Sequence, residues 1–326
     1  MYLELTEMIF FLFAAFIFQI IIHELGHLFF GLVSGYKFIS LRLFGFTIAK
    51  NRNRLVFKIY RLKGSVGQCL MYPPEKVDYR YKLITLGGII MNTITANIAV
   101  FLMIYNHLES SIQLVALFLF AFYGYGMAFI SILPSIPLSD GASLKELKNK
   151  SARGYNRKQL LIALNLMEGF TYKKLPEEIY VVPEGESLGN SIIGYHKILE
   201  SYYYMDRNEW GKAKTVLEVF DKENENLPKS IRYIVASEKL FLALRENQTP
   251  FMRNIELEDY LKGKGDINFQ RVKTAYYIYR NQNDKDRYRK VFIKNTKNYA
   301  YPGEVVFSQK LLEEIPYGDK DEHIWI

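Results

Sequence analysis

His23-Glu24-Leu25-Gly26-His27 sets two histidines four residues apart with a carboxylate directly after the first. On a helix this spacing puts both imidazoles on one face, a single turn from each other. Both can then reach one Zn²⁺, and Glu24 stands where it can take a proton from an attacking water. The chemistry on offer is metal-assisted hydrolysis. Two imidazoles do not complete such a site, so a further ligand has to come from elsewhere in the chain.

The motif lies in an unusual setting. It interrupts an apolar stretch that runs from Met8 to Ile22 and resumes from Leu28 to Val33, long enough to cross a bilayer. Ionisable groups at membrane depth are expensive and mark a functional site by default. The stretch does not read as a cleavable signal peptide. Glu4 and Glu7 stand where lysine or arginine is expected, the run is too long, and no small-residue cleavage pattern follows.

The 326 residues divide in composition. Three long apolar runs fall before about residue 141, and the remainder is rich in Lys, Glu, Asn and Tyr. The expected organisation is a transmembrane domain over 1–145 and a soluble helical domain over 146–326. A single cysteine, Cys69, excludes an intramolecular disulfide and any cysteine-based zinc cluster. The net charge of +8 is concentrated between Lys37 and Arg80, where ten lysines and arginines face only Glu75 and Asp78. Lying between two spans, these cations are explained by a cytoplasmic location and anionic headgroups rather than by nucleic acid.

The spans are expected over about Met8–Val33, Lys82–Tyr105 and Ile112–Leu133. The connector between the first two alternates apolar and polar residues from Phe38 to Ile48. A turn follows at 51–54, then a second strand-like stretch from Leu55 to Tyr60, which together predict a small β-hairpin at the membrane interface. It serves either as a surface clip or as a free strand edge for an extended substrate. In the second span, Gly87 and Gly88 permit close helix approach. Asn92 is either a tie between helices or an amide that holds a substrate carbonyl or oxyanion. The loop at 106–111 carries no lysine or arginine, which fits an external face, and His107 within it reads as a surface residue. After the third span, Pro134 and Pro137 break the helix and deliver Asp140 to the same end as the histidines. Asp140 is either the N-cap of a following helix or the carboxylate that completes a zinc site.

Taken together, the pattern resembles the site-2 protease family of intramembrane zinc metalloproteases, in the short bacterial form without a PDZ domain. The resemblance covers residues 1 to about 145. It rests on His23-Glu-Leu-Gly-His27, Gly87-Gly-x-x-x-Asn92 and Ser139-Asp-Gly141. It implies that His23, His27 and Asp140 bind zinc, that Glu24 is the base and that Asn92 positions substrate. Ile89 and Ser131 depart from the residues common at those places in the family and bear on substrate fit rather than on zinc.

The remainder reads as helical. The segment from Tyr202 to Pro228 looks like a degenerate tetratricopeptide unit, with a generic helical bundle as the alternative. Tyr276, Tyr277 and Tyr279 read as packing, and the charged tail at 319–322 as solvated. The expected fold is therefore an all-α polytopic membrane domain of three core helices with a β-hairpin, followed by a tetratricopeptide-like domain. The expected function is intramembrane endopeptidase action on a membrane-embedded peptide or single-span substrate, such as a peptide-pheromone or bacteriocin precursor. Zn²⁺ is the expected cofactor, and the lipid bilayer and a protein at the helical domain are the further partners. The alternative is a membrane-anchored scaffold whose helical domain binds that protein. By the charge asymmetry the metal lies near the cytoplasmic face, with the C-terminal domain on the same side.

Overall fold

In a computed structural model the described residues are 2–51, 54–59, 66–74, 80–105, 111–136, 139–247, 266–281 and 284–316. The chain forms two compact units that divide between Arg153 and Gly154.

The first unit holds α1 (Tyr2–Val33), α2 (Tyr81–Tyr105) and α3 (Ser111–Ile132), joined by four strands and followed by the short helix α4 (Asp140–Glu146). All three long helices are long and apolar enough to cross a membrane. At 1.5 Å per residue, even α3 is about 33 Å long, against a hydrocarbon thickness of about 30 Å. Hydroxyls inside α2 are satisfied locally: Thr85, Thr93 and Thr95 donate to the carbonyls of Tyr81, Ile89 and Met91 at 2.7, 2.8 and 2.9 Å. Apolar rings such as Phe10, Phe13, Phe18 and Phe101 point away from the bundle.

Small residues hold the helices together. Gly26 on α1 meets Gly87 on α2 so closely that a Cβ on Gly87 would lie 2.6 Å from the Gly26 carbonyl oxygen. Between α2 and α3 the contact is built from Ala96, Ala99 and Ala121, with Val100, Met103, Leu117 and Phe120 around them. The α1 helix ends at Gly35, whose φ of +83° is readily adopted only without a side chain. The Tyr36 N–H then returns to the Gly31 carbonyl at 2.9 Å, closing the helix end.

The connector is a four-stranded antiparallel sheet, not a single hairpin. Strands β1 (Lys37–Leu43), β2 (Phe46–Asn51), β3 (Arg54–Ile59) and β4 (Gly67–Tyr72) lie in the order β3-β2-β1-β4. The stretch 38–48, expected as one strand, is cut by a two-residue turn at Phe44-Gly45, where Phe44 takes a φ of 59°. Phenylalanine is a poor residue for that conformation, so the turn carries no conventional signature. Met71 of β4 packs with Tyr36, Leu28, Tyr81 and Ile84, which fastens the sheet to α1 and α2. Phe46, Ile48, Leu55, Phe57 and Ile59 form an exposed apolar face on β2–β3, with the Phe46 and Phe57 rings stacked at 5.9 Å. The expected turn at 51–54, the external loop and His107, Pro137 and the charged tail lie wholly or partly outside the described residues.

The second unit continues α5 (Lys150–Met167) into a helical array: α6 (Ser191–Asp206), α7 (Trp210–Glu218), α8 (Lys229–Arg245), α9 (Ile267–Arg280), α10 (Lys285–Thr296) and α11 (Pro302–Glu313). Helix α6 packs on α7, and α9 packs on α8, α10 and α11. At its centre Arg271 donates to both Glu238 oxygens at 2.7 Å, and Tyr202 donates to the same carboxylate at 2.8 Å. The ion pair is fully buried, and removing one partner should cost about 3–5 kcal/mol. The tyrosine stripe is partly packing, as expected: Tyr279 is buried, whereas Tyr277 is exposed.

Two further buried groups oppose each other with pH. Burial pushes the Glu304 carboxyl from 4.5 up to about 7, with Asp266 adding to the rise, while Asn268 and Tyr172 donate to it at 2.8 and 3.3 Å. Between pH 4.5 and 7 the folded chain keeps a proton that the unfolded chain has released, so this group lowers stability as pH rises, by about 3 kcal/mol in all. Burial holds His196, bonded through Nε2 to the Ile179 carbonyl at 2.9 Å, down at about 4. Its contribution runs the other way, rising from pH 4 to 6.5. Glu304→Gln should therefore leave a helical unit whose melting temperature climbs between pH 4.5 and 6.5, where the parent is nearly flat. Circular-dichroism melts at the two pH values check this, and an unchanged flat profile in the variant would refute it.

Candidate metal centre

Antiparallel α1 and α2 bring two stripes of residues face to face. On α1 the stripe is Gln19, His23 and His27, each one turn from the next. On α2 the opposing positions are Asn92, Gly88 and Ile84. Each pair is in contact. Asn92 Nδ2 donates to the Gln19 carbonyl at 3.4 Å, and His27 Nδ1 lies 2.7 Å from the Ile84 carbonyl. Gly88 leaves space for the His23 ring, since a Cβ there would come within 2.6 Å of its Nδ1 and Nε2.

Asp140 reaches the histidines from the first residue of α4. It is not the N-cap. Ser139 takes that role, its Oγ accepting from the Ala142 N–H at 3.0 Å while donating to the Leu133 carbonyl at 2.7 Å. Relieved of capping, the Asp140 carboxylate lies 3.1 Å from His23 Nε2 and 3.4 Å from His27 Nε2. Gly141 makes the approach feasible, because a Cβ there would overlap the Ile132 carbonyl at the end of α3.

His23, His27 and Asp140 thus form a largely buried group able to hold a metal ion. Its dimensions fit one. The two Nε2 atoms are 3.2 Å apart, and tetrahedral bonds of 2.0–2.1 Å place neighbouring donors about 3.3 Å apart. The Ile84 carbonyl can only accept, so His27 Nδ1 carries the proton and Nε2 presents its lone pair. Donor atoms converging at such distances need a shared proton or a cation among them. The donor set of two imidazoles and one carboxylate suits a borderline divalent ion.

Glu24 is buried beside this group but faces the sheet. A Cβ on Gly67 would overlap its carboxylate, and the Cys69 backbone N–H hydrogen-bonds to it. Arg42 on β1, buried as well, is close enough for its charge to act on Glu24. Strand β4, an edge of the sheet, therefore covers the proposed base. Asn92 is fully buried and sits one turn from Gly88.

The sequence reading missed Gln19, Arg42, Gly67 and the Ile84 carbonyl. Arg42 was grouped with the connector's other cations, although its place two residues after buried Ser40 on β1 puts it on the inner face. Gln19 had a usable signal, being a lone amide one turn before His23. No family model, curated protein or solved structure matches this chain.

If Gly67 is required by the carboxylate it touches, Gly67→Ala should displace Glu24 and leave the metal ligands alone. Metal content of the purified variant is then expected to match the parent. Any hydrolytic activity should fall by about 10²-fold or more, the usual contribution of a positioned base. Loss of metal together with activity would contradict this assignment.

Proposed function

We propose that this chain is an intramembrane zinc endopeptidase of the site-2 protease type, acting on membrane-embedded peptides or single-span proteins. The observation that carries the reading is the His23–His27–Asp140 group with Glu24 beside it, its histidines and Glu24 on a helix long enough to cross a bilayer. Such a group is costly to keep in hydrocarbon without a function.

Under this reading His23 and His27 hold the ion through neutral Nε2 atoms and Asp140 through its carboxylate. A zinc ion held there would supply Lewis acidity toward a water or a carbonyl. Glu24 accepts the proton of the attacking water and returns it to the leaving amine. A helical substrate hides its carbonyls in its own hydrogen bonds and must first become extended. β4, at the edge of the sheet among the described residues, runs past Glu24 and would be the strand beside which an extended segment is laid. The exposed apolar face of β2–β3 would rest in the membrane interface. By the basic character of the connector, the sheet and the metal would face the cytoplasm. The helical unit, with its α6–α7 pair in the place of the tetratricopeptide-like stretch, would lie on the same side and bind a protein partner.

The test is Glu24→Gln in the full chain, produced in a bacterial membrane with a library of tagged single-span peptides. The variant should keep one zinc per chain and lose cleavage by at least about 10²-fold, read by mass spectrometry of membrane peptides. Cleavage at the parental rate in the variant would rule the mechanism out.

A further inference from the structure

His27 has a fixed partner for its second ring nitrogen, the Ile84 carbonyl at 2.7 Å. His23 lacks an equivalent bond: its Nδ1 is buried with no hydrogen-bond partner of ordinary length. Asn92 Oδ1 is buried and lacks one too. The two residues are in contact, Asn92 lying one turn beyond Gly88, the residue opposite His23 on α2. The orientation of the Asn92 amide is set from its other end. Its Nδ2 donates to the Gln19 carbonyl, so Oδ1 is the atom left for His23. Turning the amide over would set two acceptors against each other at Gln19. Gln19 is in turn tied to α3, donating through Nε2 to the Phe120 carbonyl at 3.0 Å. Gly124 makes room for this junction, since a Cβ there would stand 2.9 Å from Gln19 Nε2 and 3.1 Å from the Asn92 carbonyl oxygen.

We propose that Asn92 is a positioning residue for the metal ligand His23: its Oδ1 accepts the Nδ1–H, fixing the tautomer that leaves Nε2 free for the ion. This rests on the metal-site reading above and replaces the expected role of Asn92 in holding substrate. Ring partners of this kind orient the imidazole and raise its basicity, and their loss typically weakens metal binding 10–100-fold. All three long helices then contribute to one ligand: α1 carries His23, α2 supplies the acceptor, and α3 anchors the residue that aims the acceptor.

The experiment is Co²⁺ titration of the purified, metal-stripped full chain in detergent. Affinity is read by chelator competition and the site by its visible d–d absorption. Asn92→Leu removes the acceptor; Asn92→Asp, neutral in so buried a place, keeps it and donates its O–H to the Gln19 carbonyl in place of Nδ2. The expected result is a 10–100-fold weaker affinity for Asn92→Leu, an unchanged absorption envelope at saturation, and near-parental affinity for Asn92→Asp. Parental affinity in Asn92→Leu would overturn the assignment and leave the metal site standing. So would equal weakening in both variants, which would mark a tie between helices only. If Asn92→Leu does not fold, Asn92→Asp decides alone: near-parental affinity supports the proposal, and a tenfold loss overturns it. Failure of the parent chain to bind Co²⁺ would overturn the metal-site reading itself, and this inference with it.

Discussion

Where α1 and α2 cross, the contact is backbone on backbone, Gly26 against Gly87. Helices that touch at this distance cannot slide without forcing Cα atoms and carbonyl oxygens into overlap, so the contact fixes their register as well as their spacing. The functional geometry follows from it. One residue after Gly26, His27 reaches the Ile84 carbonyl; one residue after Gly87, Gly88 receives the His23 ring. A slip of one turn would set His27 against Gly88 and leave the Ile84 carbonyl facing nothing of use. The metal group is thus a product of helix packing, and Asp140 needs only to be delivered to a place already determined.

That delivery uses a different device. Pro134 follows the end of α3, and Ser139 starts α4 by capping it, which leaves the carboxylate of the next residue free to turn inward. Polar groups at this depth are affordable because each is handed from helix to helix. Gln19 links α1 to α3, Asn92 links α2 to α1, and His27 links α1 to α2. The apolar residues face outward and the polar ones form an internal seam, the reverse of the arrangement in the helical unit, where side chains such as Phe241 and Phe307 enclose a single ion pair.

The long apolar helices and the His23–His27–Asp140 group could be read from the chain because they depend on local properties: run length, the four-residue histidine spacing, and an aspartate beyond helix-breaking prolines. The sheet was legible only in part. Its first turn falls on Phe44-Gly45, which has no conventional turn signature, and β4 is a six-residue strand next to glycines that read as punctuation. The capping role of Ser139 could not be separated from a capping Asp140, because both residue types cap well and lie side by side. Least visible were the partners of the ligands. A backbone carbonyl such as that of Ile84 has no sequence signature, and the meaning of Gly67 depends on a carboxylate more than forty positions away.

The thiol of Cys69 lies on the strand that covers Glu24, and burial pushes its pKa up to about 12, so almost none is present as thiolate at neutral pH. It is also the chain's single cysteine, and the metal group is built from nitrogen and oxygen donors alone. Oxidants act on thiolates first, and an intramolecular disulfide needs a second cysteine within the chain. The one thiol on the strand that covers Glu24 is therefore held in the form least open to thiolate chemistry.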